Sequence, residues 1–208
     1  MKIYFDGGSI TWGADLKDNL NSRFSKLVCD NLKAEEYNIA KRNGGCRRVV
    51  RNLIDHDLSK YDLFVIDMPP LTRTEYYGKK KEWITVNYNA MRFAEKNELE
   101  IRNYWIDFVK HIYSDKLGQQ EQIMHHTIVK GLLYNKPHIT LGFDLRISNN
   151  VIAPVDIKYT MVNNLKQIMG RLLRVDNNIP RGNRGHPSEE GHKYIADDVI
   201  KWCNENLF

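Results

Sequence analysis

Apolar positions along the chain fall into two spacings. Short unbroken runs alternate with segments in which apolar residues recur every three or four positions, as strands alternating with helices require. The first run, Ile3 to Phe5, stops at Asp6-Gly7-Gly8, and helical spacing follows at Leu16, Leu20, Phe24, Leu27 and Val28, which predicts a helix over Leu16 to Leu32. Glu35 to Ala40 reads as a second strand. It ends in the turn Asn43-Gly44-Gly45, and Val49, Val50, Leu53 and Ile54 give a second helix. Tyr61 to Met68 is a third strand whose centre, Leu-Phe-Val-Ile, is apolar without a break, as a strand covered on both faces must be. It ends at Pro69-Pro70, which cannot continue a ladder.

The second half is less regular. Residues 71–88 form an excursion rich in Thr, Tyr and Lys, followed by helical spacing from Tyr88 to Ser114 with a break near Asn97, and by another helix from Gln119 to Tyr134. Pro137 opens a fourth strand, His138 to Phe143. Residues 146–158 admit two readings, Val151 to Ala153 being a candidate edge strand, and Tyr159 to Leu173 is expected to be helical. A polar loop over 174–187 leads into a closing helix, Ser188 to Trp202, with Ser188 as cap and Glu189 and Glu190 in the first turn. Alternating strands and helices predict an α/β chain: a mostly parallel sheet of about five strands with helices on both faces, its ligand outside the carboxyl ends of the strands. The loops at 6–13, 41–48 and 67–76, joined by the polar loop before the last helix, should form that rim.

Composition changes this picture little. The chain has 208 residues, 42% hydrophobic and 27% charged, enough for one domain with a full core, here expected over residues 1–208 with a helical insertion around 71–135. The three cysteines, Cys29, Cys46 and Cys203, are odd in number and form no CxxC pair, which favours a reducing compartment over a disulfide framework. No signal-peptide pattern or membrane-spanning run occurs, so the expectation is a cytoplasmic protein of a bacterium or of its virus, with no membrane partner. No P-loop, GxGxxG or zinc spacing occurs, so no cofactor or metal is implied.

Two stretches carry candidate chemistry. Ser9 follows a strand and a glycine turn and opens a helix, which suits either a helix cap or a nucleophile held against backbone N–H groups. His186, in Gly185-His186-Pro187-Ser188-Glu189-Glu190-Gly191-His192, sits on a stiff loop before the last helix, as a surface or capping histidine or as a base. Together, the two stretches resemble the SGNH (GDSL-type) serine hydrolases. Gly7-Gly8-Ser9-Ile10-Thr11-Trp12-Gly13 is similar to the first block, with Gly8 where Asp is usual; Asn38 to Gly45 is similar to the second, Phe64 to Glu75 occupies the third, and His186 to His192 is similar to the last. The resemblance implies a flavodoxin-like three-layer α/β/α domain. Ser9 would be the nucleophile and His186 the base, with an oxyanion hole from the N–H groups of Ser9 and of Gly44 or Gly45.

The departures from the family pattern lie at the third and last blocks. The third strand ends Asp67-Met68-Pro69-Pro70, with no Asn for the oxyanion hole, and the positions that would hold an Asp before the His are Asn183 and Arg184. Asn183 could orient His186 without supplying charge, and Asp67 or Asp6 could supply it from a strand end. The resemblance therefore implies an esterase or deacetylase working through an acyl-enzyme, or alternatively a degenerate binding module of the same fold. Basic residues add a further expectation. Lys41, Arg42, Arg47, Arg48 and Arg51 flank the second turn; Arg73 and Lys79 to Lys81 follow the third strand; Arg171, Arg174, Arg181 and Arg184 precede His186. These clusters are either a solvated face or a cationic rim favouring an anionic substrate. On the second reading Arg42, Arg73 and Arg184 would bind an anionic small-molecule or glycan ester. A nucleic-acid partner gripped by the same rim is the less favoured alternative. His125-His126, adjacent on a helix and so not facing one metal, are expected to be structural or surface residues, and His192 a packing or surface residue.

Overall fold

The structure, a computed structural model, describes residues 1–69, 73–78, 81–87, 107, 111–112, 114–144, 155–162, 171–174, 178–180 and 186–208. β1 (Lys2–Asp6) leads through a single helical turn, α1 (Ser9–Trp12), and a short α2 (Asn19–Ser22) into α3 (Phe24–Leu32). β2 (Glu35–Asn38), α4 (Cys46–Asp55) and β3 (Leu63–Met68) follow. A hairpin of β4 (Arg73–Tyr77) and β5 (Trp83–Asn87) precedes α5 (Asp115–Leu132), β6 (His138–Asp144), β7 (Ile157–Val162), β8 (Arg171–Arg174), β9 (Asn178–Pro180) and α6 (Glu189–Asn206).

The main sheet runs β2-β1-β3-β6-β7-β8-β9. Its first five strands are parallel, and β8 and β9 add antiparallel at the edge. The pleat sorts side chains into two cores, because successive residues of a strand point to opposite faces. Ile3 and Phe5 of β1, Leu63 and Val65 of β3, and Ile139 and Leu141 of β6 pack beneath Phe24 and Val28 of α3 and Ile195 and Val199 of α6. Tyr4, Phe64, Ile66 and Met68 face the other way, against Val49, Val50 and Leu53 of α4 and Val129 of α5. The fold is thus α/β in three layers, with a mostly parallel sheet, as the sequence predicts.

Elsewhere the structure corrects the sequence reading. Of the helix expected over Tyr159 to Leu173, the described ends are strands, β7 and β8, and residues 163–170 lie outside the described residues. Ile157 and Tyr159 are buried two positions apart, a period of two that sequence periodicity confuses with helical spacing in a short apolar run. The described part of residues 71–135 is not wholly helical, since it opens with the β4–β5 hairpin in register from Arg73↔Asn87 to Tyr77↔Trp83. The helix expected from Leu16 is split into α2 and α3, because Arg23 is extended (φ −72°, ψ 147°). Most of the helix expected over Tyr88 to Ser114 and the candidate strand at Val151 to Ala153 lie outside the described residues.

Two polar contacts bind the layers near the rim. His192 of α6 is fully buried, stacks on Phe24 and accepts the Phe24 backbone N–H at Nδ1 (3.2 Å). Burial pushes its pKa down to about 3, helped by the charge of His186, so it stays neutral and ties α6 to α3. On the opposite face Arg48 of α4 donates to the Asp6 carboxylate at the end of β1 (2.6 Å) and to the Ile39 carbonyl. Asn52 and the Gly7 N–H also donate to Asp6 (2.8 and 2.7 Å). Burial still holds Asp6 above the usual carboxylate range, although Arg48 draws it down. Removing one partner of a buried pair leaves an uncompensated charge, at a cost of about 3–5 kcal/mol. Arg48→Met should therefore lower stability by about that amount at pH 8 in urea unfolding. The loss should shrink as the pH is lowered and Asp6 takes up a proton, which burial makes easier than for an ordinary carboxylate.

Candidate active site

The site lies where the loops after β1 and β3 diverge, at the carboxyl end of the parallel strands. The chain leaves β1 through Gly7 and Gly8 and closes the one-turn helix α1, in which the Ala14 N–H returns to the Ser9 carbonyl (2.8 Å). Gly13 ends that turn in the left-handed region (φ 83°), where a glycine is favoured. Asp15 also adopts positive φ (70°), which Asp tolerates better than most residues. This tight return brings a carboxylate back beside the serine that opened the turn.

From the other end of the chain, His186 enters just before Ser188, whose side chain caps α6 by accepting the Gly191 N–H (3.2 Å). Its Nε2 lies 2.9 Å from Ser9 Oγ and its Nδ1 lies 2.6 Å from Asp15 Oδ2. A carboxylate only accepts, so the ring proton belongs on Nδ1 and Nε2 is free to accept from the serine hydroxyl. Ser9 is 6% exposed, and the Asp15 and His186 side chains are 13% and 26% exposed, so the line of groups is shielded yet open at the histidine. Arg42 stacks on Trp12 (4.7 Å) and lies 3.6 Å from Asp15, at the solvent edge.

The carboxylate on His186 is therefore Asp15, which carried no assigned role in the sequence reading. Asp67 lies elsewhere: its Oδ2 accepts from the Gly8 N–H (2.9 Å) and the Thr11 hydroxyl (3.1 Å) and holds the turn that presents Ser9. Asn183 and Arg184 lie outside the described residues. Gly44 and Gly45 also part company. The Gly44 N–H donates to the Lys41 carbonyl (2.9 Å), whereas Gly45 caps α4 and its N–H has no acceptor among the described residues. Ser9, the first residue of α1, likewise leaves its N–H unpaired among the described residues, as helix first turns do. An acid six residues beyond the serine follows no family spacing. The only trace of it in the sequence is an Asp placed just after the helix-ending Gly13.

No family model matches the sequence, and no characterised protein matches it by sequence. Solved structures do match. A carbohydrate esterase described as having divergent catalytic and non-catalytic binding functions superposes with a TM-score of 0.54 at 13% identity, over 99% of this chain and 65% of that one. The acetyl xylan esterase Est2A of Butyrivibrio proteoclasticus gives 0.54 at 10% identity, over 99% and 64%. A family two carbohydrate esterase from Clostridium thermocellum, in complex with cellohexaose, gives 0.51 at 13% identity, over 99% and 64%. The chain has the fold of the carbohydrate esterases. It spans about two thirds of the length of these structures.

Among the described residues, three of the arginines that the sequence reading sets at the rim are engaged within the chain. Arg48 is buried on Asp6. Arg51 forks onto the buried Glu75 (2.8 and 3.2 Å) and reaches Asp55. Arg47 donates to the Glu75 carbonyl (3.3 Å). Arg42 and Arg73 remain beside the site. Among the described residues no group of three or more His, Cys, Asp and Glu converges as metal ligands would. His125 lies on α5, beside a shallow cleft lined also by Cys46, Arg47, Arg73, Thr74, Glu121 and Gln122.

Burial pushes Asp67 up to about 6, against the Gly8 and Thr11 hydrogen bonds and the nearby charge of Arg73. Its folded pKa exceeds its unfolded one, so the folded state binds the extra proton between about pH 4 and 6, and stability falls as pH rises through that window. Asp67→Asn keeps an acceptor for Gly8 and Thr11 and removes the titration. Its urea midpoint should fall less between pH 4 and pH 7 than that of the unaltered protein.

Proposed function

We propose that the chain is an ester hydrolase working through an acyl-enzyme on Ser9. His186 acts as general base and then acid, and Asp15 is the carboxylate that orients it. The observation that carries this reading is the unbroken line Asp15–His186–Ser9, with a hydrogen-bonding distance at each step. A nucleophilic serine needs a base in reach, and the base needs a partner that fixes its tautomer; both needs are met.

Ser9 Oγ adds to the ester carbonyl carbon while its proton passes to His186 Nε2. The carbonyl π pair moves onto oxygen, and the imidazolium is stabilised by Asp15. The N–H groups of Ser9 and Gly45, without an acceptor among the described residues, are the donors that would receive the oxyanion. On collapse the bond to the leaving oxygen breaks, and His186 returns its proton to that oxygen. Water then repeats the sequence on the acyl-enzyme, its proton passing through His186 to Ser9 Oγ as the acid is released.

For the substrate, a polar ester is favoured over a fatty one. Arg73, at the edge of the site, also lines a cleft with Arg47, Thr74, Glu121, Gln122 and His125, a mostly polar neighbourhood that favours a hydroxyl-rich alcohol. A glycan bearing a small acyl group fits that chemistry, and the cellohexaose complex of the Clostridium thermocellum esterase supports it.

Labelling by a fluorophosphonate tests the reading. The unaltered protein should label once per chain, and Ser9→Ala should abolish the signal. Asp15→Asn should slow turnover of an acetyl ester about ten-thousandfold, the cost of the equivalent change in a serine-protease triad. Asn183→Ala should leave it nearly unchanged, since Nδ1 has one proton and Asp15 takes it. Labelling that survives Ser9→Ala, or an Asp15→Asn variant as active as its parent, would refute the assignment.

A further inference from the structure

One side chain at the site has no part in the line of proton transfer. Arg73, the first residue of β4, lies between the two glycines that flank the oxyanion donors. A Cβ built on Gly8 would meet Arg73 Nη1 at 2.9 Å, and one built on Gly45 would meet the Arg73 carbonyl at 2.6 Å and its Cβ at 3.3 Å. Neither glycine is required by its own backbone angles: φ is −93° at Gly8 and −111° at Gly45, both open to any residue. What they share is the close passage of Arg73.

The hairpin carrying Arg73 is clamped onto α4. Glu75, two residues on and therefore on the same face of the strand, is 1% exposed and held by the Arg51 fork. Arg47 bonds its carbonyl, and Arg51 also stacks on Trp83 of β5 (4.6 Å). The Arg73 guanidinium has no ion pair or hydrogen bond among the described residues, although Asp67 is near enough for each charge to act on the other. A half-buried guanidinium with idle donors, held against the glycine that precedes Ser9, is costly to desolvate without a partner.

We infer that Arg73 is a third donor to the oxyanion, its guanidinium supplying beside Ser9 and Gly45 the side-chain hydrogen bond that the third strand, ending Asp67-Met68-Pro69-Pro70, does not. This rests on the hydrolase reading above and deepens it. Negative charge appears on the carbonyl oxygen only as Ser9 adds, so a donor aimed there lowers the barrier without tightening substrate binding. Gly8 belongs to the same device: any side chain there would push Nη1 away.

The test uses an uncharged acetyl ester and the rate of fluorophosphonate labelling. Arg73→Met should lower kcat about a hundredfold or more with KM little changed, and slow labelling to a similar degree. Gly8→Ala, whose backbone angles alanine accepts, should lower kcat in the same direction. In the Arg73→Met background it should add little, because the group it displaces is gone. Urea midpoints of all three variants report whether they fold. A neutral-ester kcat and labelling rate unaffected by Arg73→Met would overturn this inference alone, as would an effect on KM for anionic esters only, which marks a substrate anchor. So would losses from Gly8→Ala and Arg73→Met that simply multiply. A parent protein that never labels, or labels away from Ser9, would overturn the hydrolase reading and this inference with it.

Discussion

The imidazole of His186 is pinned between a hydroxyl and a carboxylate that both belong to the opening turn of the chain. Those bonds span 177 and 171 residues of sequence, so they exist only because the sheet brings the two ends together. The span is bridged by packing. α3, just downstream of the serine turn, and α6, just downstream of His186, lie side by side on one face, and the Phe24 N–H bonded to His192 locks their register. A shift of about 1 Å between those helices would break a hydrogen bond at 2.6 Å, which is why a neutral buried histidine six residues from the base matters to the site.

Much of this was legible in the residues. The strand–glycine–helix turn at Ser9, the buried run Leu63 to Ile66 and the polar entry to the last helix are local patterns, and local patterns are what periodicity and capping report. Asp15 was not legible, because its role depends on a return of the chain through positive φ at Gly13 and Asp15, and backbone angle at a non-glycine residue leaves no mark in composition. The arginines misled for a related reason. Arg48 and Arg51 look like a solvent-facing cluster until Asp6 and Glu75 are placed against them from a distant strand and a distant hairpin. Tyr159 to Leu173 reads as helix because a short apolar run can satisfy both periods, and only the pairing of β7 with β6 decides for a strand.

The carboxyl end of the sheet carries an unusual density of buried charge. Asp6 and Asp67 end adjacent strands, both fully or almost fully buried, and burial holds both above the ordinary carboxylate range. Each organises a different loop. Asp6 draws α4 onto β1 through Arg48 and Asn52, and Asp67 fixes the serine turn through Gly8 and Thr11. Stability is given up there so that the loops bearing Ser9 and Gly45 hold one conformation, a pattern expected where a site must be preorganised. The hairpin carrying Arg73 is treated the same way, clamped by Glu75 on Arg51 at the far side of the same rim.

The most direct measurement is a crystal structure of the protein after reaction with a phosphonate that mimics the tetrahedral adduct. The account predicts phosphorus bonded to Ser9 Oγ and a phosphonyl oxygen facing the Ser9 and Gly45 N–H groups. It also predicts His186 Nδ1 still on Asp15. Phosphorus on another residue, or a His186 whose Nδ1 faces anything other than Asp15, would contradict it.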